Sequence, residues 1–110
     1  MAKQLILTDG DGQKYTLEFN RRSVEQMERS GFVASDVTEK PMTILPTLFA
    51  GAFAKNHRKV KRETIDAIFN RTKNKQDLIS KLAEMYNEPI EALLDEPEDG
   101  EGNVTWEASW

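Results

Sequence analysis

Few side chains in this chain have the types and spacing that chemistry requires. Carboxylates are paired at Glu25/Glu28 and Glu63/Asp66, and acid–base catalysis uses two such groups held in unlike environments around one substrate. Both pairs fall three residues apart among polar neighbours, a spacing that places them together on a wet helix face. They read as solvated surface charge. Asp9-x-Asp11-Gly12 has the opening of a calcium loop. It lacks a third acidic ligand before the glycine, and strand-like runs flank it where the calcium loop has helices. It reads as a turn. The single histidine, His57, sits among cations. Alone, it supplies neither a His-based triad nor a multi-histidine metal site, and it is expected to bond the last carbonyls of the helix before it. With no cysteine, a disulfide framework and a thiolate metal site are excluded. Glycine-rich phosphate cradles, nucleophile elbows and kinase signatures are missing too. Catalytic, cofactor-binding and metal-ligating residues are therefore all read as none, and the chain as a non-enzyme without cofactors.

Charge is the stronger signal. Lys55, Arg58, Lys59, Lys61, Arg62, Arg71, Lys73 and Lys75 face only two acids between positions 55 and 75. Such a patch suits phosphate backbones. It has no interleaved aromatics for single strands and no duplex-reading motif, and the whole chain carries a net charge of −4. Nucleic-acid binding is thus the alternative reading. From Asp95 to Trp110 there are six acids and no base, whereas the other 94 residues carry fifteen bases and thirteen acids. The tail has the charge to lie across the basic patch. Both tryptophans, Trp106 and Trp110, fall in its last seven residues. Indoles favour interfaces, so docking on this molecule or on another is expected there.

The elements that must position these features follow from periodicity. Leu5-Ile6-Leu7 and Tyr15–Phe19 flank the Gly/Asp turn as a β-hairpin, with Tyr15, Leu17 and Phe19 alternating inward. Asn20 caps a first helix running to Arg29, with Val24 and Met27 inward. Gly31 and Phe32 close it in a Schellman ending, Phe32 packing on Met27. Residues 32 to 40 read as a loop. Fourteen uncharged residues from Pro41 to Ala54 predict a central helix over Thr43–Asn56, with Thr43 as cap and Pro46 in its first turn. Its Ala50-Gly51-Ala52 patch admits close approach by the first helix or the last. A short helix spans Lys61–Asn70. A last one opens at Asn74 with a stripe of Leu78, Ile79, Leu82, Met85, Tyr86, Ile90, Leu93 and Leu94. Pro89 either kinks it or separates a short helix capped by Asn87. The fold class is α+β: an N-terminal hairpin on a small bundle of four or five helices, in one domain over residues 1–95. Residues 96–110 form an acidic tail, expected to be disordered in isolation. Lacking a run of about 20 apolar residues or a signal-peptide pattern, the chain reads as soluble and intracellular, with no membrane contact. Leu48, Phe49, Phe53, Ile90 and Leu94 are the candidates for apolar surface left to a partner.

The order of features carries a family resemblance. Leu17-Glu18-Phe19-Asn20-Arg21-Arg22 leads into Val24-Glu25-Gln26-Met27-Glu28 and Gly31-Phe32. Leu48-Phe49-Ala50-Gly51-Ala52-Phe53 follows, then further helices and the acidic, tryptophan-bearing tail. Over about residues 4 to 107 this resembles the small tail assembly chaperones of long-tailed (siphovirus-type) bacteriophages and prophages. The resemblance implies a non-enzymatic chaperone of the host cytoplasm, absent from the mature virion. It would bind the tape measure protein, help recruit tail tube subunits and self-associate. It also implies that a longer frameshifted form is made in some members, with the tail after about Asp95 as its linker. A structural head or tail component is the other reading of that texture.

Overall fold

A computed structural model describes residues 3–97, 100 and 102–110. Strands β1 (Gln4–Thr8) and β2 (Lys14–Glu18) pair antiparallel, Leu5 opposite Leu17 and Leu7 opposite Tyr15. Asp9 makes the turn: its carboxylate accepts the backbone N–H groups of Asp11 and Gln13, each at 2.9 Å. That use of the carboxylate is turn chemistry. Four α-helices follow, α1 (Arg21–Arg29), α2 (Pro41–Gly51), α3 (Arg62–Arg71) and α4 (Lys75–Ala92), with a 3₁₀ helix at Ala34–Thr38. The architecture is α+β, a hairpin set on a small helical bundle.

Helix α1 is specified at both ends by its own sequence. Asn20 accepts the Ser23 N–H while Ser23 Oγ accepts the Asn20 N–H, a reciprocal cap. At the other end Gly31 takes φ +94°, and the N–H of Phe32 donates to the Met27 carbonyl at 3.0 Å. This is the expected Schellman ending.

Helix α2 differs from its expected limits. It starts at Pro41, whose fixed φ and missing N–H suit the first helical position. Thr43 is consequently inside the helix, where its carbonyl accepts the Thr47 hydroxyl, and Pro46 lies in the second turn. Regular helix stops at Gly51. Tighter bonds between residues three apart then carry the chain through Ala54. Pro89 lies within a continuous α4, which removes the separate final helix. Residues 34–38, expected as loop, form the 3₁₀ helix that packs Val37 against the core.

The core gathers on α2. Phe49 and Phe53 are fully enclosed, with ring centroids 5.2 Å apart, and Phe69 of α3 and Tyr15 of β2 stack against them at 5.0 and 5.5 Å. Tyr86 of α4 meets Phe19 and Phe32 edge-on, each at 5.4 Å. Burial and the charge of Glu28 raise its phenol above the ordinary range. A Cβ added at Gly51 would stand 2.5 Å from Sδ of Met27, so the small-residue patch admits the first helix.

Candidate partner-binding surface

The hairpin is held to the bundle along one edge. The Glu18 N–H donates to the Ala52 carbonyl at 3.0 Å, the Thr16 N–H to Nε2 of His57 at 2.9 Å, and Asn56 Nδ2 to the Thr16 carbonyl at 3.2 Å. Six consecutive residues, Ala52 to His57, thus cover the outer edge of β2. Within that seam the Glu18 side chain is only 2 % exposed, against the expectation that it faces water. Its carboxylate accepts from Lys55, Gln4 and Asn56. The Lys55 bond dominates over desolvation and holds the carboxyl below its ordinary 4.5. His57 serves this edge, which displaces the expected bond to helix-end carbonyls. Tyr15 packs edge-on against its ring at 5.2 Å.

At the far end of α4 the apolar stripe outruns the body it packs on. Leu78, Leu82, Met85 and Tyr86 are buried, whereas Ile90, Leu93 and Leu94 emerge, Leu94 at 88 % exposure. Ile90, Pro89 and Leu93 border a cleft of 240 Å³ against Val24 and Glu25 of α1. Beyond it a second hollow of 330 Å³ continues past Phe19 and Ala92. The tail that follows leaves Trp106 at 85 % and Trp110 at 102 % exposure, so neither indole is folded onto the body. Glu98, Asp99 and Glu101 of the tail lie outside the described residues.

A family model for a domain of unknown function, DUF5055, matches residues 1–110. The chain belongs to the DUF5055 family. No curated protein and no solved structure matches it.

In this DUF5055 chain the sequence-derived candidates separate into two groups. Leu48, Phe49 and Phe53 are core residues, enclosed because α2 is packed on several sides, and they offer no surface. Ile90, Leu94, Trp106 and Trp110 are exposed. The basic segment is also dispersed by the fold. Lys55 is taken by Glu18, and Arg62 pairs with Asp66 at 3.0 Å. Lys75 donates to the Asn70 and Thr72 carbonyls at the end of α3 and lies over the Phe69 ring. Arg58, Lys59, Lys61, Arg71 and Lys73 remain exposed. Glu18 and Leu93 are the residues that sequence reasoning passed over as site candidates. Leu93 was legible as part of the α4 stripe; Glu18 looked like the polar half of an alternating strand. No described helix is long and apolar enough to cross a membrane, and no described cluster of His, Asp or Glu has metal-binding geometry.

Proposed function

We propose that this protein is a non-enzymatic tail assembly chaperone of a long-tailed bacteriophage or prophage. It holds the tape measure protein in a soluble form and helps recruit tail tube subunits, in the host cytoplasm and outside the finished virion. The observation that carries this reading is the apolar surface at the end of α4, where Ile90, Leu93 and Leu94 stand out beside the cleft along α1. A long helical client presents apolar anchors at three- and four-residue spacing, and such a groove accepts an amphipathic helix through them. Glu25, Glu28 and Arg21 rim the cleft, which fits a surface that must stay soluble when empty. The Leu-Glu-Phe-Asn-Arg-Arg junction builds the neighbouring wall, since Phe19, Asn20 and Arg21 line the adjoining hollow.

Co-expression with a tape measure protein tests the reading. The client is expected in the soluble fraction, bound to this protein, and purified particles should lack the chaperone. Equal precipitation of the client with and without it would sink the proposal.

A further inference from the structure

The two edges of the hairpin are unlike. In an antiparallel pair, residues outside the hydrogen-bonded pairs point their N–H and C=O groups away from the partner strand. Thr16 and Glu18 point theirs at Ala52–His57, so Ile6 and Gln4, their opposites on β1, point theirs outward on the other side. Thr8, opposite Lys14, shares that direction. No described residue bonds to the backbone of Gln4, Ile6 or Thr8 across this edge. Ile6 adds a side chain 58 % exposed. An uncovered edge of this kind is a template for another strand.

The chain carries a segment suited to it. Val104, Trp106, Ala108 and Trp110 alternate with Thr105, Glu107 and Ser109, the two-residue period of a strand with one apolar face. Its seven residues match the five of β1 with overlap.

Charge points the same way. A groove of 750 Å³ continues from Ile6, Leu7 and Thr8 across Ile68 and Leu78. Arg71, Lys73 and Lys81 line it, exposed and without a hydrogen bond or ion pair among the described residues. Three acids line it as well: Asp9 is engaged by its own turn and Asp77 by Asn74 Nδ2, while Asp11 is exposed at the turn. From Asp95 onward the chain brings six acidic side chains and no cation.

We infer that residues 104–110 of one molecule add as a third strand to the outer edge of β1 in a second copy, the negative charge of the tail complementing Arg71, Lys73 and Lys81 beside that edge. The indoles of each tail stand clear of their own body, so the occupant comes from another molecule. This association is independent of the chaperone reading and uses a different face from the end of α4.

Sedimentation velocity and tryptophan emission of the full chain, followed over a concentration series, test it. Mass is expected to rise with concentration and emission to shift blue with the same midpoint, both weakened by salt. Amide exchange at Ile6 and Thr8 should slow in parallel. The double variant Trp106→Ser/Trp110→Ser should stay monomeric with an unchanged far-UV spectrum. Ile6→Pro should do the same, because its lost N–H faces outward and serves no bond to β2. A monomer at every concentration overturns the inference, and so does a blue shift independent of concentration, which would put the tail on its own body. Association that leaves the Ile6 and Thr8 amides fast overturns it as well, whatever the variants do.

Discussion

The backbone N–H of Thr16 donates to Nε2 of His57 at 2.9 Å, joining residues forty-one positions apart. This bond, with the one from Glu18 to Ala52, fastens the sheet to the segment leaving α2. His57→Ala removes the acceptor and the ring that Tyr15 packs on, and leaves a half-buried N–H without its partner. A loss of about 1–3 kcal/mol is expected, read as a lower urea midpoint at unchanged slope. His57→Phe restores the ring alone and should recover only part of the loss.

Glu18 makes stability depend on acid. Its carboxyl lies below 4.5 in the folded protein, chiefly through the Lys55 bond. A group whose folded value is depressed contributes stability fully above its unfolded value, and that contribution disappears as pH falls through the folded value. Glu18→Gln should therefore be less stable than the parent at neutral pH. The gap between them should narrow as pH drops below the usual carboxylate range. Parallel thermal melts from pH 7 to pH 3 give the comparison, and a gap constant across that range would refute the assignment.

Gly51 of α2 lies directly against the Met27 side chain of α1. Gly51→Leu forces the Met27 thioether aside and should cost about 1–3 kcal/mol by overpacking. Gly51→Ala should cost far less, because Met27 is flexible and alanine favours helix by about 1 kcal/mol. Denaturant titration of both variants resolves the order. Equal stability of the leucine variant and the parent would show that the helices separate freely at this point.

Ile90 and Leu94 are exposed and hold little of the core. Ile90→Ser with Leu94→Ser should leave the folded protein within about 0.5 kcal/mol of its parent, as surface changes do. Soluble yield of a co-expressed tape measure protein should fall several-fold. Unaltered client solubility would remove the end of α4 as the contact surface.

What could be read in advance was whatever has a local cause. Asn20, Gly31 and Phe32 state both ends of α1 within thirteen residues, and the structure follows them bond for bond. The stripe from Leu78 to Tyr86 and the Asp9 turn are of the same kind. Glu18 was not legible, because its burial is decided by Lys55 and Asn56, far along the chain, and alternation alone puts it in water. Phe49 and Phe53 shared their periodicity with any amphipathic surface. Only the placement of Phe69 and Tyr15 around them makes them core. Pro41 did carry a legible start signal, and Thr43 competed with it because a hydroxyl before an apolar run has the same form as a cap.

The Ala52–His57 seam also sets a timetable for synthesis. An isolated two-stranded hairpin is marginal in water, and this one leaves the ribosome before the residues that complete its edge. At 5–20 residues per second, the forty-one positions from Thr16 to His57 take roughly 2–8 seconds to make. For most of that interval Leu17 and Phe19 lack α2, and α4 follows only after it. The nascent chain is most exposed to capture by other chains in those seconds, and slow codons between 20 and 57 would lengthen them.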